Sequence, residues 1–523
     1  MMRPGTNKTS LSPPPHAARP HRRLPRQRHR ARSALRMTPT PATANRHALT
    51  VARDALCVML LVYLLCIAGI LTRPLGLLAA FWPANAVLLG LFVRRPRLVG
   101  PGGWLGATLG YLAADLLTGT PLWPALWLTA TNLASVGVSY LLFRPLSYDD
   151  RRLRRPQAVM LVFWICAAGA AAAALVGTFL APALAGLDFA TSTLSWFTGE
   201  LTNNLVVLPV LLTAPTLSLR AILPRQPLLR LQQIVRSASG PALTLAASVP
   251  ATLLIGGPGA LAFPVPALLW CALSFSPFTT AVLTALVNAW QMIAVTLDLL
   301  PNLAVEGSPQ AIISMRLGVT LLALGPITAA SISATRRETL RILDHQLNHD
   351  SLTGALTRGA LLKQGAAALT QLKPHQPVAM LMLDIDHFKR INDHYGHATG
   401  DHTLAVFAAT IAANLRANDL FGRLGGEEFA IIMPDTTPAR AQEVAERLRA
   451  QTEQAHVQVA EGRAPLQLTV SIGVAHQMPG HTLPQALALA DKLLYEAKAA
   501  GRNRVRSNAA PTADHNQMAL AQM

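Results

Sequence analysis

The chain has 523 residues, of which 51% are hydrophobic, and its mean hydropathy is +0.34. This is too apolar for an ordinary soluble protein of that size, so the composition excludes a wholly soluble enzyme and predicts that much of the chain lies in lipid. The formal net charge of +19 would suit a nucleic-acid-binding protein, but the arginines cluster beside apolar segments. We therefore expect the charge to set membrane topology, with a smaller attraction to anionic lipid, and expect no nucleic acid partner.

The two ends of the chain have the composition of disordered segments. Residues 1–50 are rich in Pro, Arg, His and Thr and lack apolar periodicity, which predicts a disordered basic arm. The arm is not a signal peptide, because the apolar stretch after it is too long and further apolar stretches follow. Translation from either Met1 or Met37 is compatible with this pattern. Residues 507–523 predict a second disordered tail.

Residues 51–333 are expected to form a polytopic α-helical membrane domain. Uncharged stretches near the ~20-residue length of a membrane span lie at 55–71, 125–143, 158–180 and 317–334. Basic connections at 94–97, 144–155, 220–236 and 336–341 alternate with connections nearly free of Lys and Arg near Arg73, near Gly119 and at 185–198, 256–259 and 301–310. Because basic loops stay in the cytoplasm, this alternation predicts two cytoplasmic termini and an even number of spans, eight or ten.

Several polar residues within these stretches would be costly in contact with lipid, so we expect them to face the bundle interior or a cavity. They are Asn85, Asp115, Asn132, Glu200, Asn203, Asn204, Asn288 and Gln291. They either line a ligand pocket or hydrogen-bond neighbouring helices, and for any single residue the hydrogen bond is the favoured interpretation.

Two segments around these residues resemble a known family. FWPANA at 81–86 and WFTGELTNNLVVLP at 196–209 are similar to stretches of the MASE1 family of bacterial integral-membrane sensory domains. The resemblance implies a sensory domain in the bacterial cytoplasmic (inner) membrane, and it leaves the stimulus open.

A short helix is predicted between the last span and the remainder of the chain. Residues 334–349 have helix-forming composition, with Leu340, Leu343 and Leu347 at the a/d spacing of a coiled coil. The segment is either a signalling helix that pairs with a second copy or a single juxtamembrane helix with an apolar stripe.

Beyond residue 349 the pattern becomes that of a soluble α/β domain. Apolar strands are predicted at 378–384, 428–433 and 466–475, and amphipathic helices at about 357–371, 399–416, 437–454 and 484–500. This order suggests an α/β sandwich that contains antiparallel strands.

Gly425 and Gly426 form a turn between apolar runs and are followed by Glu427 and Glu428, so the segment predicts a β-hairpin with carboxylates at its tip. The 378–384 strand also ends in carboxylates, and two converging acidic strand ends would make a Mg²⁺ site of the kind used in nucleotidyl transfer.

The motifs in this region together resemble the GGDEF domain of diguanylate cyclases along its full length. They are DSLTG at 350–354 with Arg358, DIDHFK at 384–389, Asn392, Gly396-His397, Gly400-Asp401, GGEEF at 425–429, SIGV at 471–474, Ala497-Lys498 and Gly501-Arg502. The resemblance implies a cytoplasmic α/β domain with a nucleotidyl-cyclase-like, ferredoxin-like core over 350–506. Ala355 and Thr357 depart from the usual opening motif of the family. This segment joins the linker to the domain, so the departure concerns the coupling between linker and domain and not the catalysed reaction.

The same resemblance implies a reaction in which two GTP molecules form cyclic di-GMP and release pyrophosphate, in a homodimer. It gives a metal, Mg²⁺ with Mn²⁺ as the alternative, to Asp384, the Ile385 carbonyl and Glu427. Glu428 either holds a second metal, helps deprotonate the 3′-hydroxyl, or is structural. The implied substrate-binding residues are Asn392 and Asp401 at guanine, and the His387 and Phe388 amides, Lys389, Lys498 and Arg502 at the phosphates.

An Arg-x-x-Asp sequence lies five residues before the glycine turn. One interpretation is that Arg416 and Asp419 form an ion pair on a helix surface, which would stabilise the fold by only a few tenths of a kcal/mol. In the GGDEF family this offset is the primary inhibitory site for the product, and Arg447 matches a secondary contact. We expect product feedback here.

Two rival functions are a non-catalytic cyclic di-GMP receptor and a transporter that carries a passive C-terminal domain.

Overall fold

The computed structural model describes residues 41–72, 81–179, 188–215, 227–296, 299–300, 309–372, 376–459, 464–476 and 482–508. Most of the predicted basic arm and all but two residues of the predicted tail lie outside these ranges. The prediction that disorder extends to residue 50 is wrong for residues 41–50, because helix α1 starts at Pro41. Proline suits the first helical position, where its missing N–H costs no hydrogen bond.

The N-terminal half is helical throughout the described residues. Its helices are α1 (Pro41–Ile70), α2 (Ala84–Arg94), α3 (Pro101–Leu117), α4 (Leu122–Phe143), α5 (Tyr148–Arg151), α6 (Pro156–Gly177), α7 (Phe189–Thr213), α8 (Pro227–Ile255), α9 (Pro264–Ser274), α10 (Pro277–Thr296) and α11 (Pro309–Asn348), with 3₁₀ turns at Pro96–Val99 and Pro258–Ala262. Five helical segments of the described part are long and apolar enough to cross a membrane: Leu49–Ile70, Leu122–Phe143, Pro156–Gly177, Pro277–Val295 and Pro309–Asn348.

Two sequence-based boundaries in this half differ from the structure. The predicted connection at 185–198 is helical from Phe189, because the Asp188 carboxylate accepts hydrogen bonds from Thr191 N–H at 2.9 Å and Thr191 Oγ1 at 2.7 Å and caps α7. The predicted last span and the predicted signalling helix form one 40-residue helix, α11. The segment predicted as the last span is therefore continuous with the predicted linker.

Most of the buried polar side chains foreseen from the sequence bond across helices. Asn85 Nδ2 donates to the carboxylate of Glu200 at 3.0 Å and to Asn132 Oδ1 at 2.9 Å. Asn203 Oδ1 accepts from the Trp82 amide at 2.9 Å. For these residues the helix-bonding interpretation holds.

The C-terminal half is a six-stranded mixed sheet with helices on both faces. Its strands are β1 (Leu356–Thr357), β2 (Val378–Ile385), β3 (Leu420–Gly425), β4 (Glu428–Pro434), β5 (His456–Val457), β6 (Leu466–Gln467), β7 (Val470–His476) and β8 (Val505–Ser507). Its helices are α12 (Arg358–Thr370), α13 (Phe388–Tyr395), α14 (His397–Ala413), α15 (Pro438–Gln454) and α16 (Leu483–Ala499). The strand order is β1-β3-β4-β2-β7-β8, and β5 and β6 form a separate pair.

Strand β2 lies at the centre of this sheet and is buried along its whole length. It pairs antiparallel with β4 on one side and with β7 on the other. Separate apolar cores cover the two faces of the sheet, one containing Phe407 and Phe429 and the other containing Leu361 and Leu494. A strand buried on both faces reads as a continuous apolar run, as 378–383 does.

The predicted strand 466–475 is divided in the structure. Leu466–Gln467 pairs with β5, and the sheet strand begins at Val470. Between them the Thr469 carbonyl accepts the Asp386 amide at 3.0 Å, which turns the chain from one sheet to the other. The predicted boundary at 506 is also short, because Ser507 pairs with Val474 in β8.

Candidate active site

The β3–β4 hairpin presents the adjacent carboxylates at its tip, as predicted. Gly426 has a φ of +54°, a conformation that side chains with a Cβ rarely adopt. Arg423 fixes the turn, because its guanidinium donates to the Gly426 carbonyl through Nε at 3.0 Å and Nη2 at 2.7 Å. Glu427 follows at the turn and Glu428 begins β4.

The two acidic strand ends converge. Asp384, next to last in β2, is paired in register with Glu428 of β4. Asp384 is buried, Glu427 is half-buried and Glu428 is exposed. Lys498 of α16 enters from the opposite side, and its Nζ lies 2.8 Å from Asp384 Oδ2. A cation and three carboxylates therefore share one edge of the sheet.

The electrostatics of this edge favour a further cation. Burial raises the pKa of Asp384, and the contact with Lys498 only partly opposes the increase. Burial also raises the pKa of Glu427, and the nearby charge of Asp384 raises it further. A divalent ion between the two carboxylates would remove this repulsion.

The donors present fit a hard divalent cation. Asp384, the neighbouring Ile385 carbonyl and Glu427 offer oxygen atoms only, and Mg²⁺ commonly takes one or two carboxylates and completes its shell with water and substrate phosphate. Within the described ranges no group of three or more His, Cys, Asp or Glu side chains is placed to hold a metal.

Backbone amides at the start of α13 lie directly after the acidic strand. His387 is left-handed, with a φ of +58°, and precedes the helix that begins at Phe388. The first amide bonded within this turn is that of Arg390, which donates to the His387 carbonyl at 2.9 Å. The amides before it point toward the helix N-terminus, which attracts phosphate oxygens, and Lys389 is exposed on the same turn.

The close packing of α16 on β7 brings Lys498 and Arg502 to the site. A side chain at Gly473 would collide with the backbone of Ala490 and Leu494, so only glycine lets the helix lie this close to the sheet. Lys498 is near the C-terminal end of the helix, and Arg502 follows in an exposed turn with a φ of +64°.

The proposed guanine-binding residues are also brought together. A methyl group at Gly400 would overlap the Asn392 carboxamide oxygen, so the side chain of Asn392 lies directly over the Gly400 backbone. Asp401 is the next residue and is exposed. An amide and a carboxylate together offer the donor and acceptors that a guanine edge requires.

Comparison with known proteins identifies this arrangement. Residues 347–504 match the family model described as "Diguanylate cyclase, GGDEF domain". The chain is 32% identical over 465 residues to the probable diguanylate cyclase DgcF of Escherichia coli O157:H7, an alignment that spans 86% of this chain and 94% of that protein.

The chain belongs to the diguanylate cyclase family.

Two further similarities are confined to the C-terminal part of the cyclase. The response regulator PleD of Caulobacter vibrioides is 44% identical over 173 residues, which are 32% of this chain and 38% of PleD. A crystal structure of the coiled coil and GGDEF domain of DgcB from Caulobacter crescentus, in complex with c-di-GMP, is 29% identical and covers 33% of this chain and 91% of that one, with a TM-score of 0.32.

One residue of the cyclase site was given no role by the sequence reasoning. Asp386 is buried, and its carboxylate accepts from Ser471 Oγ at 2.7 Å, Thr469 Oγ1 at 2.9 Å and the Asn503 amide at 3.0 Å. It ties the end of β2 to the turn that carries Arg502. Spacing alone gives Asp384 and Asp386 equal weight. The structure distinguishes them, because Asp386 is held by three hydrogen bonds from Thr469, Ser471 and Asn503, whereas Asp384 pairs with Lys498.

The Asn503 side chain extends this tie to α15. Asn503 Nδ2 donates to Glu453 at 2.8 Å, and Arg449 Nη1 donates to Asn503 Oδ1 at 3.0 Å. Arg449 also forms ion pairs with Glu446 at 2.9 Å and Glu453 at 2.8 Å. The turn that carries Arg502 is therefore anchored to α15.

A second link joins the hairpin tip to the opening motif. Arg423 Nη1 lies 3.1 Å from Asp350 Oδ1, which also accepts from Thr353 N–H at 2.9 Å and Thr353 Oγ1 at 2.6 Å. Burial opposes ionisation of Asp350, but the bonds from Thr353 and Arg423 outweigh it and lower the pKa. Asp350 lies two residues after the end of α11, so its ion pair with Arg423 connects the linker to the tip of the β3–β4 hairpin.

The Arg416 and Asp419 site lies away from the metal edge, in a turn. Asp419 Oδ2 accepts the Arg416 backbone N–H at 2.9 Å, so the contact recorded is a turn hydrogen bond and not the helix-surface ion pair weighed from the sequence. Arg447 Nη2 donates to the Asn414 carbonyl at 3.1 Å. The structure therefore brings Arg447 to the same turn within one subunit and leaves Arg416 exposed to solvent.

Proposed function

We propose that this cyclase is a membrane-anchored homodimer that condenses two GTP molecules into cyclic di-GMP with release of two pyrophosphates. The observation that carries the proposal is the edge where Asp384, Glu427 and Lys498 meet beside the start of α13. We assign the carboxylates to a metal, the amides at the start of α13 to phosphate, and the Asn–Asp pair to guanine.

Each residue has a definite task in this proposal. Asn392 and Asp401 hold guanine, and the His387 and Phe388 amides hold phosphate oxygens together with Lys389, Lys498 and Arg502. Asp384, the Ile385 carbonyl and Glu427 would hold Mg²⁺, or Mn²⁺ in its place, which when bound neutralises phosphate charge. Lys498, which pairs with Asp384 in this structure, would supply positive charge to a bound triphosphate.

The bond changes balance within the pair of nucleotides. The 3′-oxygen of each GTP forms a bond to the α-phosphorus of the other, the α–β phosphoanhydride bond breaks, and pyrophosphate leaves with the bonding electrons. The 3′-hydroxyl proton passes to a base, and we assign this role to Glu428, which is exposed next to Glu427. Because one domain binds one GTP, two domains must face each other.

Exposed leucines on α11 support the homodimer. The exposed fractions of Leu340, Leu343 and Leu347 are 53%, 47% and 74%, although these apolar side chains are regularly spaced on one helix. Leu347 is one residue from the end of α11, and its carbonyl accepts a hydrogen bond from Thr357 of β1 at 3.1 Å. Pairing of two α11 helices would bury the leucines and set the spacing of the catalytic domains.

The helix contacts support two cytoplasmic termini. Ser331 Oγ and Thr335 Oγ1 of α11 bond to the Leu153 and Arg154 carbonyls at 2.8 and 2.7 Å, and Arg337 bonds to the Phe275 carbonyl at 2.9 Å. The basic loop at 144–155 and the end of α9 thus lie beside the part of α11 that leads to the cyclase domain. Basic loops on the side of the catalytic domain agree with the positive-inside rule.

The membrane part is proposed as a MASE1-like sensory domain, and Arg416, Asp419 and Arg447 as the inhibitory product site. Exposure of the Arg416 turn and its distance in the fold from the metal edge support feedback that leaves the catalytic groups untouched.

The deciding experiment uses purified full-length protein in detergent with GTP and Mg²⁺. Formation of cyclic di-GMP with two pyrophosphates per product is expected, and binding of cyclic di-GMP without turnover would identify the non-catalytic receptor instead.

Reporter fusions that act only in the periplasm should stay silent after Arg97 and Arg155 and respond after Ala185. A periplasmic signal from the C-terminus would contradict the proposed topology.

A further inference from the structure

Three consecutive residues between α16 and β8 have left-handed backbone conformations. The φ angles are +113° at Gly501, +64° at Arg502 and +45° at Asn503. Glycine adopts such angles freely and asparagine tolerates them, but an arginine rarely adopts them. The middle residue of this turn is therefore held in an unfavourable conformation, which persists only where the surrounding structure supplies compensating contacts.

Hydrogen bonds fix the backbone on both sides of Arg502. Its N–H donates to the Ala497 carbonyl at 3.2 Å, and its carbonyl accepts from Arg504 Nε at 2.9 Å. The next N–H along the chain, that of Asn503, donates to Asp386 Oδ2 at 3.0 Å. These bonds determine the direction in which the backbone presents the Arg502 side chain.

The Asp386 carboxylate joins this turn to the strands that form the site. Its other two hydrogen bonds come from Ser471 Oγ of β7 at 2.7 Å and from Thr469 Oγ1 at 2.9 Å, and its own amide donates to the Thr469 carbonyl at 3.0 Å. An ionised carboxylate has about four acceptor positions, and three hydrogen bonds occupy them here. Asp386 is thus committed to the fold, although it lies only two residues after Asp384.

The Asn503 side chain holds the other side of the turn. Its Nδ2 donates to Glu453 at 2.8 Å, and its Oδ1 accepts from Arg449 Nη1 at 3.0 Å, both on α15. The turn is therefore held from two directions, by a buried carboxylate at the end of β2 and by an ion-paired stretch of helix.

The charge of Arg502 reaches the metal edge. Burial raises the pKa of Asp384, and the positive charges of Lys498 and Arg502 oppose this increase. An arginine that acts on Asp384 is placed for the phosphate groups that a metal on Asp384 would bind. A shift of the turn would move this charge, whereas the residues assigned to guanine, Asn392 and Asp401, belong to α13 and α14.

We propose that Asp386 and Asn503 are positioning residues for the triphosphate: together they hold the left-handed turn in which Arg502 lies, and they affect nucleotide binding only through Arg502. They contact neither the nucleotide nor the metal. This assignment rests on the proposed cyclase function, in which Arg502 binds phosphate oxygens, and it adds two residues that set the affinity for the triphosphate without touching it.

The test measures binding of a GTP analogue to the full-length protein in detergent with Mg²⁺. The analogue has a methylene bridge between the α- and β-phosphates, so it cannot release pyrophosphate. Guanosine, measured by competition, reports binding of the base without phosphates. Arg502→Ala and Asp386→Ala should each weaken binding of the analogue about tenfold, the value of one hydrogen bond to a charged group, and leave the affinity for guanosine within about twofold of wild type.

A double variant decides whether Asp386 acts through Arg502. If it does, Asp386→Ala combined with Arg502→Ala should bind the analogue at most about twofold more weakly than Arg502→Ala alone. Losses that multiply to about a hundredfold would show that Asp386 acts independently and would overturn the proposal.

Asp386→Asn separates geometry from charge. The carboxamide keeps the shape of the side chain and an acceptor oxygen for the Asn503 N–H, so this variant should retain most of the affinity that Asp386→Ala loses. A loss as large as that of Asp386→Ala would assign the negative charge itself to nucleotide or metal binding, which would also overturn the proposal.

Asn503→Gly is the mild variant, because glycine suits the positive φ and keeps the N–H that bonds to Asp386. It removes only the bonds to α15 and should weaken binding of the analogue about threefold or more, with no further effect in the Arg502→Ala protein. Asp491→Ala, which removes an exposed carboxylate of α16, is the matched control and should bind like wild type. Equal affinity of the Asn503→Gly and Asp491→Ala proteins would overturn the role of Asn503.

Synthesis of cyclic di-GMP, measured on the same preparations, is a separate readout. Binding of the analogue with the expected coupling but without turnover would refute the cyclase and leave the positioning role standing. Turnover together with losses that multiply in the double variant would refute the positioning role alone.

Discussion

Lys498 Nζ lies 2.8 Å from Asp384 Oδ2, and the side chains are 31% and 8% exposed. An ammonium group thus sits against the carboxylate to which the metal is assigned. The pair keeps a buried carboxylate compensated before nucleotide arrives, and it places Lys498 next to the position that the triphosphate would take.

Replacing Lys498 with Met should therefore have two effects. Turnover should fall at least tenfold, because positive charge is lost at the triphosphate, and the metal-free protein should lose about 1–2 kcal/mol of stability, because Asp384 stays buried without its partner. Added Mg²⁺ and GTP should restore part of the stability. Thermal unfolding with and without Mg²⁺ measures this, and Lys492→Met, an exposed lysine of the same helix, should match wild type in both assays.

Glu427→Gln should abolish synthesis of cyclic di-GMP without unfolding the domain. The amide keeps the shape of the side chain and removes the charge that would hold the metal, and loss of that charge also ends its repulsion with Asp384. Product formation is followed by chromatography, with Glu443→Gln of α15 as the control. Retention of a tenth of wild-type turnover by Glu427→Gln would remove Glu427 from the metal site.

Gly400→Ala tests the guanine pocket. The new methyl group would displace the Asn392 carboxamide, so the KM for GTP should rise about tenfold or more and the preference for GTP over ATP should fall. Gly359→Ala, in α12 with open space around its Cβ position, should leave both values unchanged. Unaltered KM and nucleotide preference in Gly400→Ala would argue that Asn392 does not read the base.

Arg416→Ala should leave the initial velocity nearly unchanged and abolish the slowdown as product accumulates. The reason is that Arg416 lies in a turn bonded to Asp419, away from the metal edge. Progress curves measure this directly, with Arg440→Ala, a surface arginine of α15, as the control. Identical flattening of the wild-type and Arg416→Ala curves at micromolar product would leave only a turn-stabilising role for this pair.

His476 should make the catalytic domain less stable in mild acid. It ends β7 and contacts Ser507 Oγ through Nε2 at 3.1 Å, and burial lowers its pKa below the ordinary 6.5. Because the folded state binds the proton less readily than the unfolded state, this contribution is complete above about pH 6.5 and is lost as the pH falls through the folded pKa. Thermal unfolding of wild type and His476→Gln between pH 7.5 and 5 should show a steeper decline for wild type. Parallel profiles would assign the acid sensitivity to other groups.

The sequence by itself determined the local chemistry of the protein. The GGEEF segment predicts a hairpin because two glycines between two apolar runs favour a tight turn between strands. The central strand is predicted because a strand that is buried on both faces of a sheet is apolar along its whole length. The alternation of basic and neutral connections likewise predicts a membrane topology without any knowledge of packing, and that topology stays a prediction.

Only the tertiary structure decided which of several similar residues serves the site. Asp384 and Asp386 are indistinguishable by spacing, yet Asp386 is held by Ser471 and Asn503, which come from distant parts of the chain. The burial of Arg316 was also not predicted, because it depends on Gly199 of another helix, where a Cβ would lie 3.0 Å from Arg316 Nη1. Long-range contacts decide burial and pairing, and burial and pairing decide whether a charge is structural or available for chemistry.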